Sequence, residues 1–333
     1  MARTRGKRKQ TKKAKKDLQM TQRFLYYNLK NQATAETSGR WLDSHYIDIA
    51  AGLSAINRRL YRQSRQYHIA NISLIDTQGD TKVRFCTLPQ VWTTSKAHKL
   101  MFDAWKDQRA RALENSPSDV TGRWADFKAY YSNQHAKESR EAILAGQPGV
   151  VLPVFSDLDV IPGGEWEYSD ISYIKGGVEE SNQTVWMMGN HIEGATAQEN
   201  GVGILQALEE MLAIPPEAPI LPDIAKSVIM SMNPATGDDN ADTLANIRDD
   251  NDLSPYLGTK VFGSDSTATN SESLVVRELG WSATGIASIP AMGFPVPLGL
   301  LEVRQDDKTE GNTIGLIIEL VPGTYKGVHA EAF

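Results

Sequence analysis

From residue 149 onward, the apolar residues of this chain come in short runs bounded by Gly, Pro, Asn or Asp. The runs are Val150–Phe155, Glu165–Ile174, Thr184–Met188, Ser227–Met232, Thr259–Phe262, Leu274–Leu279, Leu298–Val303 and Thr313–Val321. Many short strands between long loops pack as a sandwich or barrel, not as a parallel α/β sheet. One helix interrupts them at about 203–213 and a shorter one near 241–248. No internal repeat at a fixed period is present.

The first half reads differently. Residues 1–20 hold almost no apolar side chains and cannot offset the entropy of ordering, so they are expected to be disordered on their own. Leu42, Tyr46, Ile49, Leu53, Ile56 and Leu60 recur at steps of three and four, which predicts an amphipathic helix over 42–60. Tyr67–Asp76 and Lys82–Leu88 are rich in strand formers, and Val83, Phe85 and Thr87 alternate on one face. With Thr77-Gln78-Gly79-Asp80 as a turn between them, they predict a β-hairpin ended by Pro89. Residues 93–145 read as helical: Ala97, Leu100, Met101, Ala104 and Trp105 fit one face. After a break at Asn115–Ser118, a second helix carries Trp124, Phe127 and Tyr131.

Charge divides the chain more sharply than hydropathy. Nine of the first sixteen residues are basic (Arg3, Arg5, Lys7, Arg8, Lys9, Lys12, Lys13, Lys15 and Lys16), whereas the whole chain is formally −6. Removing those nine from 35 basic residues leaves 26 against 41 acidic, so residues 17–333 carry −15. Residues 1–150 hold 27 basic and 13 acidic side chains, and the remainder 8 and 28. A cationic arm precedes an anionic body. Lys and Arg beside nucleic-acid phosphates release counterions, which gives affinity without sequence readout. Lys7-Arg8-Lys9 and Lys12-Lys13-Ala14-Lys15-Lys16 also have the form of nuclear import signals, which adds a host import receptor as a partner. Arg58, Arg59, Arg62 and Arg65 follow the predicted helix at the end where cations suit its dipole, and they extend the basic surface. The C-terminal acidity reads as a solvated outer surface.

Other classes are less well served. At 333 residues and 41% hydrophobic content, the chain can bury the core of one large or two ordinary domains. No run approaches the ~20 apolar residues of a membrane helix. No apolar run follows the basic segment, so a secretory signal is not expected. Cys86 is the single cysteine and reads as a reduced core thiol, which excludes a multi-cysteine zinc site. There is no phosphate-binding Gly-x4-Gly-Lys-Ser/Thr loop, no His-Glu-x-x-His and no Gly-x-Ser-x-Gly. Gly201-Val202-Gly203 opens a helix, but Gln stands at 206 where a dinucleotide loop has Gly. His191 and Glu193 read as loop polars. The histidines at 45, 68, 98, 135 and 329 lack the spacing of a metal set. Asp157/Asp159 and Asp249/Asp250/Asp252 lack the spacing of a calcium loop. Trp92, Trp105, Trp124, Trp166, Trp186 and Trp281 read as core or subunit-interface anchors. No catalytic residue and no cofactor is implied.

A basic arm, a strand-rich body and a helical block after the first strands resemble capsid proteins of small icosahedral viruses. The likeness is to those of circular single-stranded DNA viruses that encode a replication initiator. It rests on Arg3–Lys16, on Thr87-Leu88-Pro89-Gln90-Val91-Trp92 followed by Ala97, Phe102 and Trp105, on Arg123-Trp124-Ala125-Asp126-Phe127-Lys128, and on Pro297–Val303 with Thr313–Val321. The resemblance implies a mainly β chain. Its single jelly-roll sandwich would occupy 67–333, with a helical insertion at about 93–145 after the first two strands. A helical segment over 21–66 and a disordered basic arm over 1–20 would precede it. It further implies self-assembly into a shell, a single-stranded DNA genome as the arm's partner, no membrane, and residence in the virion with passage through the host nucleus. A non-viral nucleic-acid-binding protein with a basic tail, or an enzyme with a basic targeting tail, remain alternatives at this level.

Overall fold

The computed structural model describes residues 20–31, 41–76, 80–114, 125–144, 151–154, 166–175, 178–192, 200–212, 263, 274–282, 287–307 and 311–333. The chain is mainly β, and at its centre are two antiparallel sheets, each with a path of four strands. The strands are β1 (Phe24–Lys30), β2 (Trp41–Asp48), β3 (Arg65–Asp76), β4 (Thr81–Thr87), and then β9 (Leu274–Trp281), β10 (Ala287–Met292), β12 (Leu300–Asp307) and β13 (Thr313–Leu320). One sheet has the order β1-β13-β3-β10 and the other β2-β12-β4-β9. Of these eight strands the first pairs with the last, the second with the seventh, the third with the sixth and the fourth with the fifth. Almost every ladder therefore joins strands far apart in sequence.

The inner faces meet in an aliphatic and aromatic core that includes Leu25, Tyr27, Leu29, Ile47, Ile72, Leu74, Phe85, Val303, Leu316 and Ile318. Each fully buried side chain of this kind contributes roughly 1.5–3 kcal/mol. The period-2 rule needs one adjustment in β3. Tyr67 and Ile69 face inward, and so do Ile72 and Leu74. A shift in the pairing with β13 between Glu319 and Leu320 absorbs the extra residue.

The short helix α1 (Ile49–Asn57) closes one end of the sandwich with Ile49, Ala50 and Leu53. Asp48 is its N-cap and accepts a hydrogen bond from Ala51 N at 3.1 Å. Burial pushes the Asp48 carboxyl up to about 6, while the cap bond and Gln63 pull it back. The expected helix over 42–60 is thus corrected: only 49–57 is helical, and 41–48 is strand. The apolar spacing was misleading because β2 is covered on both sides. Ile47 enters the sandwich core, and Tyr46 packs beneath a further layer. The 21–66 segment accordingly contains two sandwich strands, and the sandwich starts at Phe24, not at 67.

The expected hairpin at 67–88 is also corrected. β3 and β4 are consecutive but lie in different sheets. Their junction is a corner, tied by Thr81 Oγ1 donating to Asp76 Oδ2 at 3.1 Å and by Trp281 Nε1 donating to the same oxygen at 2.8 Å. Thr77–Gly79 lie outside the described residues.

The further layer comes from the stretch between β4 and β9. It contains α2 (Trp92–Glu114), β5 (Tyr130–Ser132), α3 (Asn133–Leu144), β6 (Asp170–Lys175), β7 (Val178–Met188), β8 (Gly201–Gly203) and α4 (Ile204–Leu212). The strands form a sheet of order β5-β7-β6, with β8 also on β7. Here 93–145 is not purely helical. Residues 125–129 precede β5 without helical structure, and Phe127, Ala129 and Tyr131 are buried in the core where a helix was expected. Trp124, Asn115–Ser118 and the predicted elements at 227–232, 241–248 and 259–262 lie outside the described residues. On α2 the buried stripe is Thr94, Ala97 and His98, and Leu100 and Ala104 face outward. This layer packs Phe127, Tyr131, Met187 and Leu205 on Tyr46, Leu88 and Leu300 of the second sheet's outer face. β12 is consequently buried on both faces, and its outward Arg304 pairs with the buried Glu302 at 2.8 Å. Cys86 is buried and forms no disulfide. Among the described residues no helix is long and apolar enough to cross a membrane.

Candidate nucleic-acid interface

α1 ends where Arg58 adopts a left-handed conformation, φ 54°, ψ 39°. The turn sends residues 59–64 across the end of the sandwich toward β3. Asn57 then does two jobs. Its amide donates to Leu53 O at 3.1 Å within the helix and to Gln22 O at 3.0 Å, and its Oδ1 accepts from Gln22 N at 2.8 Å. The chain entering β1 is therefore fastened beside the end of α1. Thr21 Oγ1 donates to Lys326 O at 3.0 Å, which ties the same segment to the C-terminal turn.

That turn lies between β14 (Pro322–Gly323) and β15 (Gly327–Val328) and presents Tyr325 and Lys326. Gly327 has φ +97°, and a Cβ there would stand 2.3 Å from Thr21 Oγ1. A glycine is needed for both reasons. Tyr325 is the hub of the cluster. Its hydroxyl accepts from Arg62 N at 3.1 Å, and its ring meets Tyr61 edge-on at 5.9 Å. The Arg65 guanidinium lies 3.9 Å above the ring. Lys326 Nζ is 5.4 Å from the Tyr325 ring and 5.5 Å from that of Tyr61, and donates to Leu60 O.

Four cations thus converge: Arg59, Arg62, Arg65 and Lys326. Their crowding is visible on Lys326, whose amine is held below the usual lysine range first by burial and then by repulsion from Arg62, Arg59 and Arg65. Asp126 offsets part of this, with an oxygen 4.0 Å from Arg62 Nε. Burial pushes its carboxyl up, and Arg62 and Lys128 draw it back. Arg62 keeps 58% of its side-chain surface exposed. Held-together like charges with open faces are what an anionic partner relieves.

Of the residues expected from sequence, Arg59, Arg62 and Arg65 come together, and Arg58 contributes the backbone turn. Arg3, Arg5, Lys7, Arg8, Lys9, Lys12, Lys13, Lys15 and Lys16 lie outside the described residues. Their point of attachment does not: Thr21 and Gln22 sit against the cluster. Sequence reasoning missed Tyr325 and Lys326. The only local signal is their place between two glycines.

The remaining candidates resolve into structural roles. His191 Nδ1 accepts from Gly203 N at 3.0 Å, and its Nε2 lies 3.3 Å from Glu210. It braces the start of α4, and Glu193 lies outside the described residues. Gly201–Gly203 form a strand beside β7, not a phosphate loop. The two aspartate groups at 157–159 and 249–252 lie outside the described residues. Trp186 is fully buried, whereas Trp92 is 60% exposed at the start of α2, next to the exposed Val91. No family model, curated protein or solved structure matches this chain.

Proposed function

We propose that this chain is the coat protein of a small icosahedral virus, that its sandwich is a single jelly roll, and that its basic arm packages a single-stranded DNA genome. The observation that carries the reading is the nested pairing of eight strands, first with last through fourth with fifth. A jelly roll is a long antiparallel hairpin rolled into two sheets, and the capsid use of that architecture is widespread. On this template the added layer enters between the fourth and fifth strands.

The charge layout agrees. The segment joining arm and sandwich is fastened to Arg59, Arg62, Arg65 and Lys326, so fixed cations continue the arm's charge onto the body at one end. In a shell that end faces the genome, and the acidic remainder keeps particles apart in solution. Exposed apolar side chains such as Val91 and Trp92 are of the kind that subunit contacts cover. The arm motifs suit import into a host nucleus.

The test is assembly. Purified protein, imaged by electron microscopy across a range of salt with and without single-stranded DNA, is expected to form closed shells. Monomers and small oligomers under all conditions, with a fixed small DNA stoichiometry, would instead establish a non-viral nucleic-acid-binding protein. Deleting residues 1–16 is expected to leave the body folded and remove most DNA retention. The slope of log affinity against log salt should flatten by roughly 6, at about 0.7 per lost phosphate contact. An unchanged slope would remove the arm's role.

A further inference from the structure

We propose that His68, His329 and Glu331 form a binding site for a divalent transition-metal ion of the zinc class, which clips the C-terminal strand to β3. That strand, β16 (Ala330–Ala332), runs antiparallel to β3 with Ala330 opposite Tyr67 and Glu331 opposite Gln66. The same register sets His329 opposite His68, and His68 N donates to His329 O at 3.4 Å. Residues opposite one another share a face, and so do residues two apart. His68, His329 and Glu331 therefore project together, while Tyr67 and Val328 turn into the core.

The donor atoms are already gathered. The two imidazole rings are 4.5 Å apart, and the three ligand atoms lie within 4.8 Å of one another. His329 Nε2 to Glu331 Oε1 is 3.3 Å, the edge of a tetrahedron with bonds of about 2 Å. His68 Nε2 is shielded from solvent and has no hydrogen-bond partner among the described residues. His329 and Glu331 remain 40% and 59% exposed, which leaves an entry path and room for a water as fourth ligand. Two imidazoles and one carboxylate form a zinc donor set, whereas calcium and magnesium take oxygen ligands.

The consequence is mechanical. β16 has three residues, and its neighbour Tyr325 belongs to the cationic cluster. A metal bridge from β16 to β3 would hold that turn in place without adding a strand.

The test uses the untagged full-length chain, stripped with a chelator and titrated with Zn2+ by calorimetry and with Co2+ by visible absorption. One ion per chain and a tetrahedral Co2+ spectrum are expected. His329→Ala and His68→Ala should each weaken binding on the order of 100-fold or more, since losing only an outer-shell partner costs up to about that much. Glu331→Gln should weaken it less. His191→Ala, which removes a different His–carboxylate pair, should leave it unchanged. Absence of binding at millimolar Zn2+, or binding indifferent to His329→Ala and Glu331→Gln, would overturn the proposal. If His68→Ala fails to fold, those two exposed positions decide it.

Discussion

The sandwich and the layer added to it solve burial in different ways. The sandwich core is mainly aliphatic and aromatic and is closed by ladders between distant strands; Leu74, Leu316 and Ile318 on neighbouring strands are fully buried, and its buried polar side chains, such as Asp76 with Thr81 and Gln305 with Asp307, bond to one another. The added layer includes two strands of three residues, two of its pairings are parallel, and it borrows the outer face of β2 and β12 to complete its core. It also buries polar groups: the imidazoles of His98 and His135, and the Glu302–Arg304 pair beneath it. A layer with no second apolar face of its own depends on the sandwich, whereas the converse dependence is weaker. The layer should therefore be the first region to open.

The largest effect should come from Leu316→Ala in the middle of the first sheet. A fully buried leucine cut to alanine costs about 3–5 kcal/mol, a large part of the 5–15 kcal/mol that holds a domain together. The expected result is a lower denaturation midpoint with both regions melting together. Met187→Ala in β7 should cost about 2–4 kcal/mol by the same mechanism, but hydrogen exchange should show protection lost in β7 and α2 while β3 and β13 keep theirs. Equal loss in both places would mean that the two regions form one cooperative unit.

The third prediction sharpens the contrast through pH. Burial lowers His98 to about 4 and His135 to about 3. The unfolded chain then binds more protons than the folded one below the ordinary histidine range. The contribution of these imidazoles is fully present above about pH 6.5 and is lost as the pH falls toward 4. Glu138 in the same layer, pushed up to about 7 by burial, works the other way, but it is one group against two. In the sandwich, burial holds His45 and His68 low as well, while Asp48 at about 6 favours the folded state as pH falls through 6. Acidification from pH 7 to 5 should thus loosen the layer through His98 and His135. His98→Leu should recover part of that loss at pH 5 and change little at pH 7, as read by the first calorimetric transition. An identical shift at both pH values would remove the imidazole from the explanation.

Much of this architecture could be read locally. The strands expected at 298–303 and 313–321 appear as β12 and β13, the helix expected at about 203–213 as α4, and the start of α2 where periodicity put it. The failures share a cause. β2 looked helical because a strand covered on both faces loses its alternation, and Tyr46 followed by Ile47 is the place where that happens. The stretch at 125–131 looked helical because Phe127 and Tyr131 are four apart, a spacing a strand also satisfies. The break between the strands at 65–76 and 81–87 was legible, but no local signal tells a corner from a hairpin. Arg59, Arg62 and Arg65 were legible as a basic run. Lys326 and the group His68, His329 and Glu331 were not, because antiparallel register brings them together from opposite ends of the chain.

The nested pairing also sets a timetable. During synthesis β1 leaves the ribosome long before its partner β13, with Phe24 matched to Glu319. Until then the first sheet has open edges and half a core. Such a chain folds late and slowly, and its nascent form is exposed to wrong pairing. A stop codon or ribosomal pause shortly before residue 313 would therefore yield not a shortened version of this protein but an aggregating one.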